Sequence, residues 1–215
     1  MEKKRQKDLF LAVSLLAAFV VWTVLVRFVD VHPMGPLGST VGFAALNRAV
    51  HGFTGVHMWL YTVTDWMGLV PIFTALGFAI LGLLQWIKRK RLSAVDRDIL
   101  FLGGFYLAVM TAFFFFEFVI VNYRPTLIDG CLEASYPSST TLLVLTVMPT
   151  AMMQFSRRIV HRGIRYMVLS GISLFIAFMV IGRLFSGVHW VTDIVGGALL
   201  SGGLVMLYRF FAGKS

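Results

Sequence analysis

The chain has 215 residues, 58% of them hydrophobic and only 13% charged, with a mean hydropathy of +0.83 and a formal net charge of +9. This excludes an ordinary soluble domain, in which apolar residues make up about 45–50%, and it excludes disordered and collagen-like chains. The single cysteine, Cys131, can form no intrachain disulfide and no cysteine-based metal site, and reads as a small apolar residue in a loop.

Six apolar runs of about the length that crosses a bilayer follow one another in the chain, at residues 9–28, 67–86, 99–120, 140–155, 166–185 and 189–210. The first is long and is followed by no small-residue cleavage site, so it reads as a span rather than a cleaved leader. The fourth is short and has room to continue through Arg157. The long connection at residues 29–66 carries Pro33, Gly35, Pro36 and Gly38, then an apolar stretch at 41–50 suited to an interfacial helix lying over the membrane surface as a lid or lipid guide. Asp65, near the end of this connection, reads as a helix cap, and His32, His51 and His57 as interfacial or loop-packing histidines. The Phe113 to Phe116 run reads as a lipid-facing or helix-packing surface, and Gly196, Gly197, Ser201 and Gly202 as small residues for close helix packing.

The basic residues set the expected orientation. Lys3, Lys4, Arg5 and Lys7 precede the first run; Lys88, Arg89, Lys90, Arg91 and Arg97 follow the second; Arg157, Arg158, Arg162 and Arg165 follow the fourth; Arg209 and Lys214 close the chain. Cytoplasmic loops are enriched in Lys and Arg, so the pattern predicts an all-α, six-helix transmembrane bundle with both termini cytoplasmic, as a single domain over residues 1–215. The positive charge is then a matter of topology. No soluble module or alternation of basic and aromatic residues points to nucleic acid.

Of the 19 Lys and Arg residues, this leaves only Arg27, Arg48, Arg124 and Arg183 on the outer side. Three outer segments then come together: Asn122-Tyr123-Arg124-Pro125, Tyr136-Pro137-Ser138-Ser139-Thr140-Thr141, and Gly182-Arg183 through His189 to Asp193. Ser138 or Ser139 caps the fourth helix, whose free N–H groups and positive dipole end form an anion cradle. Arg124 and Arg183 add planar guanidinium forks suited to phosphate oxygens. Asp193, four residues after His189 on the same helix face, is placed to accept a hydrogen bond from one imidazole nitrogen, leaving the other as a nucleophile. The bland alternatives are a snorkelling arginine, a plain helix cap and a structural His–Asp pair.

These segments resemble the type 2 phosphatidic acid phosphatases, integral-membrane lipid phosphatases related to vanadium haloperoxidases, whose signature reads K-x6-R-P, P-S-G-H and S-R-x5-H-x3-D. The chain matches at Arg124-Pro125, Pro137-Ser138, and Arg183, His189 and Asp193 with the family's spacing. The resemblance covers essentially the whole chain and implies six spans, a phosphohistidine formed on His189, Asp193 as its orienter, and phosphate held by Arg124, Arg183 and the region of Ser138, Ser139 and Thr140. It implies no metal and no cofactor, a phosphorylated lipid of the bilayer as partner, and an active site on the extracytoplasmic side of the plasma membrane. The departures are Glu117 for the first-block Lys, Ser139 for a Gly, Thr140 for the second-block His, and Gly182 for the third-block Ser. In the family that His protonates the leaving oxygen, a contribution of about 10²–10⁴-fold that Thr cannot make. Glu117 modulates the pocket charge, and a diphosphate, which leaves as a phosphorylated lipid, needs less acid. Two readings follow: a lipid phosphatase, or a catalytically impaired relative that binds, transports or senses phosphorylated lipids.

Overall fold

A computed structural model describes residues 2–212. It is all-α apart from a two-residue hairpin pairing His32–Pro33 with Thr40–Val41. The helices are α1 (Glu2–Phe28), α2 (Ala44–Thr54), α3 (Met58–Met67), α4 (Leu69–Arg89), α5 (Arg97–Phe118), α6 (Ser139–Arg158), α7 (Arg162–Phe185) and α8 (Val191–Ala212). Helices α3 and α4 meet at Gly68 and together make one 32-residue apolar rod, Met58–Arg89, that starts nine residues before the expected second span. Pro71 falls in the first turn of α4, where a missing N–H costs nothing.

Among the described residues, five rods are long and apolar enough to cross a membrane: α1, α3 with α4, α5, α7 and α8. They make this an integral membrane protein. The sixth expected span, α6, does not meet that measure of apolarity, and its surroundings explain why. Helices α4, α5, α7 and α8 pack around it, and Thr140, Thr141, Thr146, Thr150 and Gln154 along it are buried. A post enclosed by other helices has no lipid to satisfy, so polar side chains are tolerated there when they are bonded. Thr146 and Thr150 donate to the Leu142 and Thr146 carbonyls at 2.7 and 2.9 Å, and Gln154 Nε2 donates to the Tyr208 hydroxyl at 2.6 Å.

Helix α8 packs most closely of all, against α1 and α6, because its glycines let neighbours approach. A Cβ at Gly196 would stand 2.5 Å from the Tyr136 ring, one at Gly197 would stand 3.2 Å from Thr141, and one at Gly203 would meet Leu16 at 2.7 Å. Of the phenylalanine run, Phe113 and Phe116 pack into the core with Phe19 and Tyr136, while Phe114 and Phe115 are exposed. Asp8 pairs with Arg209 at 3.2 Å, so the start of α1 and the end of α8 share one end of the bundle. Trp22 Nε1 donates to the Thr192 carbonyl at 3.0 Å and ties the far part of α1 to the start of α8 at the other end. There α2 docks through Asn47, which bonds Thr192 Oγ1 at 3.1 Å and leaves Leu46 and Phe53 exposed, in keeping with an interfacial helix. Gly187, at φ 70°, turns the α7–α8 link against the Gly55 carbonyl, where a Cβ would come within 2.0 Å of the oxygen.

Candidate active site

The end of the bundle that holds Trp22, α2 and the α8 start also gathers the residues singled out in the sequence. His189 lies in the link before α8 and Asp193 in its first turn; both are buried. Asp193 acts first as a helix cap. Its Oδ2 accepts the Trp190 N–H at 3.0 Å, the reciprocal half of a capping box, and its Oδ1 accepts Asn122 Nδ2 at 3.3 Å. This draws the carboxylate toward the helix start and leaves it 3.9 Å from His189 Nδ1, beyond hydrogen-bond reach.

Ser135 closes that gap. Its Oγ lies 2.5 Å from Asp193 Oδ2 and 3.0 Å from His189 Nδ1. An ionised carboxylate only accepts, so the one hydroxyl proton goes to Asp193 and the Ser135 oxygen accepts Nδ1–H. His189 Nε2 is then an acceptor, and it takes a hydrogen bond from Arg124 Nη1 at 3.3 Å, a bond that an incoming phosphate oxygen would draw away. Burial, then the positive charges of Arg124 and Arg183, push His189 well below the ordinary imidazole value, so the ring is neutral. Sequence spacing found His189 and Asp193 but missed Ser135, which reaches them across a loop.

Arg124 is positioned by its own N–H, which donates to the Glu133 carbonyl at 3.1 Å, and its Nε stands 3.0 Å from Glu133 Oε2. That carboxylate is a charge partner lying off the N–H axis, so the buried Nε–H has no acceptor. Arg183, only 2% exposed, bonds Thr64 Oγ1 at 3.3 Å and Asp65 Oδ1 at 3.1 Å, with the Tyr61 ring 5.0 Å from its guanidinium carbon. Its Nε–H is likewise unpaired. Asp65 therefore sits inside α3 as an ion-pair partner, not as the helix cap that its position suggested. Each guanidinium thus keeps a buried Nε–H without a well-aligned acceptor, and an incoming anion supplies one.

Ser138 is the N-cap of α6, accepting from Thr141 N at 3.5 Å and donating its own N–H to the Asp193 carbonyl at 3.1 Å. Ser139 opens the helix and lines a narrow cleft with Ser135, Glu117, Tyr136 and His189. Glu117 itself is exposed at the end of α5. Thr140 is buried on the first turn of α6, and among the described residues no side-chain hydrogen bond joins it to His189 or to either arginine. His51 packs against Trp190 and bonds the Gly187 carbonyl at 3.1 Å, His57 precedes α3, and His32 pairs with Asp30 at 3.2 Å.

No protein-family model matches the sequence, and no curated protein matches it. Among solved structures, the chain is similar to a transmembrane PAP2 type phosphatidylglycerolphosphate phosphatase from Bacillus subtilis, with a TM-score of 0.63 and 20% sequence identity over 95% of this chain and 97% of that one. At that identity the likeness is one of architecture: this chain has the fold of a transmembrane PAP2-type phosphatase.

Proposed function

We propose that the chain is a lipid phosphatase of the type 2 phosphatidic acid phosphatase kind, removing phosphate from a lipid monophosphate or diphosphate through a phosphohistidine on His189. The observation that carries this reading is the unprotonated Nε2 of a buried, neutral His189, held from behind through Ser135 and Asp193 and hydrogen-bonded by the guanidinium of Arg124, which a phosphate would engage in its place. Arg124 and Arg183 would hold the phosphoryl oxygens through their unused N–H groups, with the α6 N-terminus at Ser138, Ser139 and Thr140 beside them. His189 Nε2 attacks phosphorus, the bond to the lipid oxygen breaks, and the positive charge arising on the imidazole is stabilised through Nδ1–H, Ser135 and Asp193. Water then cleaves the N–P bond. No cofactor or metal enters this scheme.

In the same reading α6 is the sixth span, both termini are cytoplasmic, and the site opens on the extracytoplasmic side of the plasma membrane. The basic clusters at the opposite end of the bundle support that orientation. Thr140 supports a second reading, a lipid binder or transporter with its acid removed. Phosphate release from lipid monophosphates and diphosphates by the detergent-solubilised protein, with chelator present, separates the two. Release that disappears in His189→Ala supports the enzyme. An inert wild type revived by Thr140→His supports the binder.

A further inference from the structure

The end of the bundle opposite to His189 carries a charge imbalance of its own, because its carboxylates are unevenly shared. Asp96 and Asp98, at the start of α5, take Arg89 and Arg158 at 2.8 and 3.0 Å. Where α1 begins and α6 and α8 end, a crevice of about 560 Å³ is lined by Lys4, Arg5, Arg157 and Arg209 and by a single carboxylate, Asp8. Arg209 uses that carboxylate at 3.2 Å, and its Nη1 reaches only the Met206 sulfur at 3.7 Å, a weak acceptor. Arg157 stands 4.0 Å from Asp98, beyond hydrogen-bond reach. Arg5 rests against the Phe210 ring, its guanidinium carbon 4.6 Å from the centroid, and among the described residues neither Lys4 nor Arg5 has an ion pair or a side-chain hydrogen bond.

Four cations against one carboxylate leave three positive charges over, brought together from three helices. Like charges so placed repel, and an anion among them offsets that repulsion while supplying the missing acceptors. Depth and lining decide which anion. The apolar run of α1 begins at Leu9, one residue after Asp8, so the crevice lies at the level where an apolar rod leaves the lipid. Met153 and Ala212 line it beside the cations, and Leu11, seven residues after Lys4 and therefore on the same face of α1, is exposed. A free phosphate ion gains nothing from that apolar wall, whereas an acyl chain does.

We propose that this crevice binds an anionic phospholipid of the leaflet at this end, which is the cytoplasmic leaflet in the orientation proposed above. The lipid phosphate accepts from Lys4, Arg5 and Arg157, Arg209 stays with Asp8, and an acyl chain runs past Leu11 along α1. The lipid thereby fastens the start of α1 to the end of α6. The site is separate from His189 and does not depend on the chemistry proposed there.

Thermal unfolding of the full-length protein in a nonionic detergent, with dioleoyl phosphatidylglycerol or dioleoyl phosphatidylcholine added to the micelles, tests this. Phosphatidylglycerol should raise the unfolding temperature of the wild type, and phosphatidylcholine at the same mole fraction should not. The double variant Arg5→Gln, Arg157→Gln should need about 30-fold more phosphatidylglycerol for the same rise, the loss of one hydrogen bond to phosphate at each position. The double variant Lys88→Gln, Arg91→Gln removes the same charge from the same end outside the crevice, and should shift that requirement by less than about threefold. Gel filtration checks folding, and if the first pair does not fold, each of its single variants should still show a shift of about fivefold. The same shift in both double variants, or a shift in neither, would mean diffuse attraction to a basic surface or binding elsewhere and would overturn the proposal. Equal effects of the two lipids on the wild type would overturn it as well. Inorganic phosphate is the soluble arm: a rise with phosphate alone that disappears with Arg5 and Arg157 would give the crevice to a soluble anion and overturn the lipid assignment.

Discussion

Both ends of the bundle hold arginines against carboxylates, yet they leave different things over. At the end shared by the start of α1 and the end of α8, Arg209 pairs with Asp8 at 3.2 Å, Arg158 bonds Gln154 and pairs with Asp98 at 3.0 Å, and Arg89 bonds Asp96 at 2.8 Å and the Ala94 carbonyl. These side chains are a third or so exposed and none is left with a buried unpaired N–H. At the other end Arg124 and Arg183 are almost fully buried and each keeps an unpaired Nε–H. The first arrangement is spent on joining helices. The second holds unmet hydrogen-bonding capacity in place, which costs stability and makes sense where a ligand supplies the acceptor.

The sharpest way to break this contrast is to remove one arginine from each end. Arg183→Ala should lower phosphate release by about 10²–10³-fold, the loss typical of one donor to developing charge at a reaction centre. Arg183→Lys should recover little, because a point charge replaces a planar fork. Folding is checked by circular dichroism and gel filtration in detergent. A variant that folds and turns over as the wild type does would place the phosphate elsewhere.

Ser135→Ala tests how His189, the proposed nucleophile, is held. Without the hydroxyl, Asp193 stands 3.9 Å from His189 Nδ1 and the Nδ1–H loses its acceptor. Leaving that buried donor unpaired costs about 1–3 kcal/mol, a loss of roughly 5–150-fold expected in kcat with KM little changed. Ser135→Thr, which keeps the hydroxyl, should retain part of the rate. Equal losses in both variants would point to packing rather than to the bridge.

The pH profile gives a smaller but cleaner sign. The folded His189 binds its proton only well below the ordinary imidazole value, because of burial first and of Arg124 and Arg183 second. The neutral, nucleophilic form therefore persists as pH falls through the range near 6.5 where a free histidine titrates. The acid limb of kcat/KM assigned to His189 should lie below that range and move upward in Arg124→Gln, which removes one of the repelling charges. An acid limb at the free imidazole value would contradict the buried neutral ring.

Much of this could be read along the chain, and the reason is periodicity. Basic clusters alternate with apolar runs, so the bundle and its odd arginines emerge from counting, and His189 and Asp193 are linked by helical spacing. What was not legible depends on contacts between segments distant in sequence. Ser135 meets His189 and Asp193 over 54 and 58 residues, and Asp65 meets Arg183 over 118. No local pattern announces such pairs. The expected direct His189–Asp193 bond was displaced by a competing local demand, the capping of α8 by the same carboxylate. Helix α6 falls short of the apolarity of the other five rods for a related reason: an apolarity scale reads contact with lipid, and this helix faces other helices.

The smallest expected effect completes the contrast. Arg89→Ala removes the bond to Asp96, whose carboxyl is held below its ordinary range chiefly by the hydrogen bond from Arg89 and next by Gln85. Both side chains are about 40% exposed, so solvent and salt screen the pair and the loss of stability should be ~0–1 kcal/mol. The depressed carboxyl adds stability above its unfolded pKa and loses it as pH falls through the folded value, so even this difference should vanish in acid. Phosphate release should be unchanged, because the pair lies at the opposite end of the bundle from His189. A thermal shift series from neutral to acid pH, run beside the release assay, reads both. A large loss of release in Arg89→Ala would mean that the two ends are energetically coupled through α6, which runs between them, and would make the division of roles between the ends untenable.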